Sequence, residues 1–140
     1  MLSLAESHKT YKNIIARKAF TISVADAAHV VEADYVGIVS GNKVPDKLER
    51  AGLHVTKSKF VDAPVIDEFP MALECRLVKI NEDGIVVGEI VNVCADESVL
   101  SDGEIDPAKV RPITFDSVHS AYIELGAVVG KAFADGKKIK

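Results

Sequence analysis

The chain has 140 residues, of which 48% are hydrophobic and 27% charged, and its formal net charge is −4. These proportions suit one globular domain over residues 1–140 with room for a true core, and they exclude a disordered or low-complexity chain. The acidic balance argues against a nucleic-acid binder, which would carry a basic stripe, and no apolar run approaches the roughly 18 to 20 residues that span a bilayer.

No charged, apolar and cleavage-site regions follow one another at the start, so the expected location is the cytoplasm. Met1–Glu6 alternates Leu2 and Leu4 with Ser3, as a strand does. Ser7-His8-Lys9-Thr10 leads into a helical run over Tyr11–Lys18, with Tyr11, Ile14 and Ile15 on one face and Ser7 or Thr10 as candidate caps. Ala19–Val24 is a strand by its alternation of Phe20, Ile22 and Val24 with Thr21 and Ser23. Asp26 suits the N-cap of a second helix, on which Ala27, Val30, Val31, Tyr35 and Ile38 share a stripe. Ser40-Gly41-Asn42 ends it. Pro45 opens a short helix, Asp46–Ala51, closed by Gly52. Lys57–Pro70 reads as loop, punctuated by Pro64 and Pro70.

The strongest local signal is Met71–Asp96. It predicts strands Ala72–Ile80 and Ile85–Ala95 around an Asn81–Gly84 turn, because Asp-Gly between apolar runs favours a tight hairpin. On the first strand Leu73, Cys75 and Leu77 share a face. The second is apolar on both faces and so must be covered on both. Ser98–Glu104 reads as a polar excursion, Asp106-Pro107 as the start of a helical turn, and Ile113–Phe115 as a last short strand. An apolar stretch with Tyr122, Leu125, Val128 and Val129 precedes a solvated basic tail. The sum is an α+β fold whose antiparallel sheet curls into a small barrel.

Two clusters are candidates for binding. Ser7, His8, Lys9 and Thr10 gather hydroxyls, an ammonium group and free amides where a helix dipole is positive, which suits a phosphate monoester. Ser40-Gly41-Asn42-Lys43 and the nearby Lys47 form the second, with a glycine that admits a close ligand and, in Lys47, a cation that could meet an anion. His8, His29, His54 and His119 are scattered without metal-ligand spacing, so no metal is expected. Asp116, Ser117 and His119 lack a nucleophile elbow and do not make a hydrolytic triad. Cys75 and Cys94, inside predicted strands, read as reduced core thiols, with a bridge across the hairpin as the less favoured alternative.

The order Ser40-Gly41, Asp46-Lys47-Leu48, Ala63-Pro64-Val65-Ile66-Asp67-Glu68, Leu73-Glu74-Cys75, Gly88-Glu89-Ile90-Val91, Tyr122 and Leu125-Gly126 resembles the flavin-reductase-like family that includes the flavoredoxins. The resemblance runs the length of the chain. It implies an FMN-binding split β-barrel with flanking helices, acting as an NAD(P)H:flavin reductase or as a flavoredoxin-like electron carrier. NADH or NADPH would be the donor. It also implies a homodimer, and an electron-transfer partner protein if the chain is a carrier. Under it, Ser3, Ser7, His8, Lys9 and Thr10 would hold the flavin phosphate, Ser40 and Gly41 would lie beside the flavin, and Lys47 would touch it. Ala5 and His8 stand where family members often carry arginine, which implies a softer phosphate grip. No side chain is expected to serve as catalytic acid or base. The family also implies several tens of residues ahead of Met1, including strands along the flavin ring. Their absence from this sequence motivates the alternative of a cofactor-free dimeric domain.

Overall fold

The computed structural model describes residues 1–139. In chain order its elements are β1 (Leu2–Ser3), α1 (Lys9–Arg17), β2 (Ala19–Ser23), α2 (Val30–Ile38), α3 (Lys47–Arg50), β3 (Val55–Lys57), β4 (Pro64–Ile66), β5 (Met71–Ile80), β6 (Ile85–Ala95), β7 (Leu100–Ser101), β8 (Glu104–Ile105), α4 (Pro107–Val110), β9 (Ile113–Asp116) and β10 (Ala121–Glu124). The class is α+β. A four-stranded antiparallel sheet in the order β1-β6-β5-β2 forms its centre, and three small hairpins, β3-β4, β7-β8 and β9-β10, flank it. The β3-β4 hairpin continues the curl past β2, where the Thr21 hydroxyl donates to the Pro64 carbonyl at 2.5 Å.

The core lies between α1 and the concave face of the sheet. Tyr11 and Ile14 of α1 meet Phe20 of β2, Cys75 of β5 and Val86 of β6, with Leu2, Leu4, Ile22, Leu73, Leu77 and Ile80 packed around them. Each large apolar side chain buried there contributes about 1.5–3 kcal/mol. Helix α1 stops at Lys18, whose φ of 56° and amide bond to the Ile14 carbonyl turn the chain directly into β2. The opposite face carries smaller residues, Ala19, Val61 and Ala63 with Val91 against them. The 58–63 loop lies down there because Ser58 Oγ accepts from the amides of Phe60 and Val61 and the Ser58 amide donates to the Ala63 carbonyl. Glu74, only 3% exposed, is on this face too, accepting from the side-chain amide of Asn92 across the hairpin.

The predicted hairpin is present with its turn closed at Gly84, whose φ is 80°. Its register is less regular than simple alternation predicts. Shifts at Glu74/Cys75 and Leu77/Lys79 set Cys75 opposite Ile90 and Cys94 opposite Ala72, so the two thiols, both free, do not face each other. Val86 is fully buried, but Ile90 and Val93 remain open to solvent, so the expectation of cover on both faces is met for only part of β6. β1 pairs only with Ile85 and Val86, leaving the rest of that edge without a strand partner among the described residues.

Several expectations are corrected. Helix α1 begins two residues earlier than predicted, at Lys9, with His8 at its N-cap and no capping side chain; Ser7 lies outside it and Thr10 inside it. Asp26 caps a 3₁₀ turn over Ala27–His29, accepting from the His29 amide at 3.0 Å, and α2 follows only from Val30. The apolar stripe of α2 does not face the core, for Val31 and Ile38 are each 74% exposed. The segment read as loop after Lys57 contains β4, paired with β3, and the apolar stretch at Tyr122 is β10, paired with β9. Asp116 serves the turn between them, accepting from the Val118 amide and from the His119 ring. This hairpin docks by the Asp26–Pro112 bridge and by the Tyr122 hydroxyl, which donates to Asp34 at 2.8 Å.

Candidate functional site

The two predicted clusters, some thirty residues apart in sequence, meet in space. Helix α1 points its N-terminus at the loop that follows α2. The first bond of the helix runs from the Lys12 amide to the His8 carbonyl, so the amides of Lys9, Thr10 and Tyr11 lie ahead of the intrahelical ladder and no side chain caps them. His8 holds an extended conformation there, and its amide donates to the Ala5 carbonyl to close the preceding turn. The orientation of the helix is fixed from below, by Tyr11 and Ile14 in the core.

The second cluster is a turn built on Ser40. Its carbonyl accepts from the amides of Lys43 and Val44, and its hydroxyl accepts from the Asn42 amide at 3.3 Å. Asn42 ties the clusters together, for its side-chain amide donates to the Ser7 carbonyl at 2.9 Å. Gly41 lies against Lys9; a Cβ added there would sit 3.6 Å from Lys9 Cδ and 3.9 Å from Lys47 Cε. Those are ordinary contact distances, so a small residue is wanted but glycine is not strictly required. The sequence places Asn42 in the second cluster as a turn former, and its role as the tie to Ser7 is not visible there, because an Asn after Gly suits a turn by itself.

Ser7, His8, Lys9, Thr10, Ser40, Gly41 and Lys47 therefore fall around one surface region. Ser3 stands apart on β1, opposite Ile85 at the end of the long hairpin, on the side away from Leu2 and Leu4 in the core. Lys47 has a different immediate environment from the rest. Its ammonium donates to the carbonyls of Val36 and Val39 at 2.5 and 3.0 Å, closing the C-terminal end of α2 where the dipole is negative. Burial pushes its pKa below the ordinary lysine value. Asp46 beside it is held low by the hydrogen bond and charge of Arg50.

Chemically, the region offers an uncapped helix N-terminus, two hydroxyls and the Lys9 ammonium to an anion, with an exposed rim. Its donor set fits a phosphate group. Acid, base or nucleophile chemistry finds no paired groups there. Among the described residues no group of three or more His, Cys, Asp or Glu side chains is placed to hold a metal. Likewise, none of the described helices is long and apolar enough to cross a membrane.

Comparison with known proteins gives this geometry a family. Among solved structures, a flavoredoxin of Desulfovibrio vulgaris (Miyazaki F) is 43% identical, with a TM-score of 0.91 over 96% of this chain and 73% of that one. A flavoredoxin from Methanosarcina acetivorans is 30% identical with a TM-score of 0.87, again over 96% and 73% of the two chains. An FMN-binding domain of a flavin reductases-like enzyme from Shewanella baltica, 21% identical over 93% of this chain and 72% of that one, shares the fold with a TM-score of 0.79. An uncharacterized protein of Archaeoglobus fulgidus is 32% identical over 111 residues, 76% of this chain and 62% of that protein. Two others, from Aquifex aeolicus and Aeropyrum pernix, are covered over 55% and 32% of their lengths, so the chain spans only about half of the curated relatives it matches. The expected split-barrel architecture is thus the one these structures share. With the flavin reductase like domain matched over residues 1–115, the chain belongs to the flavin-reductase-like family.

Proposed function

We propose that this chain is an FMN-binding flavoprotein of the oxidoreductase type, an NAD(P)H:flavin reductase or a flavoredoxin-like electron carrier. The observation that carries the reading is the meeting of the uncapped α1 N-terminus with the Ser40–Lys43 turn, in a chain 43% identical to a flavoredoxin. The amides of Lys9, Thr10 and Tyr11 would accept the ester phosphate, with the Ser7 and Thr10 hydroxyls and the Lys9 ammonium completing its shell. Asn42 would hold the Ser40-Gly41 turn against that shell, and Lys47 would support it by fixing the end of α2. When bound, FMN supplies the hydride and electron chemistry; the protein's part is binding, orientation and control of access. The unit proposed is the whole of 1–140, since β10 pairs back on β9 and Tyr122 bonds to Asp34 of α2.

The test is a titration of the purified chain with FMN and, separately, with riboflavin, read in the visible flavin bands. FMN should bind more tightly than riboflavin. Lys9→Ala with Thr10→Ala should weaken FMN by about a hundredfold or more, since each of the two charge-assisted bonds is worth about 1.5–3 kcal/mol, while leaving riboflavin nearly unchanged. Equal affinities for the two ligands would remove the phosphate site, and no spectral change with either would return the chain to a cofactor-free domain. With FMN bound, NADH or NADPH oxidation above background marks a reductase; reduction by dithionite alone marks a carrier.

A further inference from the structure

Unmatched cations gather on one face of this chain. Each arginine has a carboxylate, Arg17 with Asp62, Arg50 with Asp46, Arg76 with Glu89 and Arg111 with Glu124. Lys57 and Lys138 have carboxylate partners too, and Lys47 and Lys109 donate to backbone carbonyls. Among the described residues Lys9, Lys12 and Lys43 have no such partner, and all three are exposed. Lys9 and Lys12 stand one helical turn apart at the start of α1, whose first turn holds no acidic residue. Lys43 belongs to the turn that Asn42 ties to Ser7, and Gly41 of that turn lies against Lys9.

Local physics does not favour this placement. A helix N-terminus is positive and stabilises anions, and like charges three residues apart on a helix repel, so both lysines of α1 are on the wrong end. Nearby acids do not offset them. Asp46 is already matched to Arg50, which leaves Glu6 and Glu49 against Lys9, Lys12, Lys43 and Lys47. The chain as a whole carries −4, so a basic face here is set against an acidic remainder. A single bound phosphate engages Lys9 in the proposed shell and leaves Lys12 and Lys43 without a counter-charge.

We propose that this face docks an acidic one-electron carrier protein, with Lys12 and Lys43 meeting carboxylates around the partner's redox centre. The redox purpose rests on the FMN reading, because the docked partner lies beside the bound cofactor; the docking itself needs only the lysines. Exchange balances as two partner molecules each passing or taking one electron, with two protons exchanged with solvent. Ile15, 38% exposed and three residues beyond Lys12, gives the contact an apolar point within a charged rim. Charge complementarity of this kind speeds encounter and sets orientation more than it tightens a complex, which suits the small, short-lived interfaces of redox proteins.

The test titrates the FMN-loaded full chain, labelled with nitrogen-15, with a plant-type ferredoxin, an acidic iron–sulfur carrier, and separately with cytochrome c, a basic haem carrier. Ferredoxin should shift the amides of Lys9–Lys12 and Asn42–Val44, with a Kd that weakens about tenfold between about 50 and 200 mM salt. Cytochrome c should leave those amides in place. Lys12→Gln with Lys43→Gln should weaken ferredoxin about tenfold while changing FMN affinity far less. Both positions are exposed and the substitutions relieve repulsion, so the thermal midpoint should hold or rise. The same titration of the flavin-free chain separates the two readings: ferredoxin binding in a chain that never takes FMN keeps the docking face and removes the flavin site. The docking proposal is overturned by no ferredoxin shift at these amides at low salt, by equal shifts from cytochrome c, or by binding indifferent to the two substitutions. A short DNA duplex that binds as tightly as ferredoxin would overturn it too, since the face would then be a general polyanion surface.

Discussion

Gly88 gives the sharpest stability prediction. It lies on β6 opposite Leu77, and its backbone is not in the left-handed region, so its need for glycine is one of space. A Cβ there would sit 2.5 Å from Cζ and 2.8 Å from Cε1 of Phe20, and 3.3 Å from the Arg76 carbonyl oxygen. The Phe20 ring thus reaches across β5 to rest on bare β6 backbone. Carbon atoms pack at about 3.5–4.0 Å, so Gly88→Ala requires the ring to retreat by about 1 Å into its neighbours Tyr11, Ile14, Cys75 and Val86. Overpacking of that kind costs about 1–3 kcal/mol, and the reduced freedom of the unfolded chain returns about 0.4–1 kcal/mol. The net expectation is a loss of about 1–2 kcal/mol, or roughly 3–8 °C in Tm. With no tryptophan in the chain, urea unfolding is best followed by far-ultraviolet circular dichroism. Phe20→Leu removes both clashing ring atoms. Combined with Gly88→Ala, it should therefore destabilise by about 1 kcal/mol less than the two changes summed. If Gly88→Ala matches the wild type, or the pair proves additive, the contact across β5 is not what fixes this glycine.

Lys47→Met should cost about 1–2 kcal/mol in urea unfolding, because the carbonyls of Val36 and Val39 lose a charged donor at the end of α2. Unchanged stability with weakened FMN binding would instead make Lys47 a ligand contact. The His54–Glu68 pair, 2.6 Å apart, predicts a pH dependence: the hydrogen bond and charge of Glu68 raise the His54 pKa, and His54 in turn lowers that of Glu68. Its contribution is complete between the ordinary carboxylate and imidazole values, about 4.3 and 6.5. It is lost as pH rises through the raised His54 pKa and as it falls through the lowered Glu68 pKa. A proton NMR titration of the His54 ring should place it above the usual range, and Glu68→Gln should bring it back; an identical titration in both proteins would refute the coupling.

What the sequence made legible was whatever depends on neighbours along the chain. The Met71–Ala95 hairpin was legible because Asp83-Gly84 dictates its turn and alternation marks both strands. Its register shifts were not, since the residue skipped between the Asn92 and Ile90 pairings leaves no mark on composition. The stripe on α2 was legible from its spacing, but periodicity alone does not say that it faces the core, and Val31 and Ile38 stay exposed. β4 was missed because it is three residues long and begins with Pro64, a residue confined to sheet edges. At the candidate site, Ser7–Thr10 and Ser40–Lys47 could each be nominated from residue type. Their meeting could not, because it rests on tertiary contacts, the bond from Asn42 to Ser7 and the packing of Gly41 against Lys9.

That bond also divides the candidate site into parts of unequal stability. The α1 side derives its position from Tyr11 and Ile14, so its amides move only if the core moves. The Ser40–Lys43 side is a turn held by its own Ser40 carbonyl, by Lys47 at the end of α2 and by one exposed bond of 2.9 Å. A net hydrogen bond of that kind contributes about 1 kcal/mol, far below the free energy of global unfolding. The turn should therefore open while α1 stays closed, and ligand binding should protect the amides of Lys43 and Val44 from exchange more than it protects those in the middle of α1. A phosphate shell anchored on the rigid side and closed from the soft side admits its ligand without disturbing the sheet that supports it.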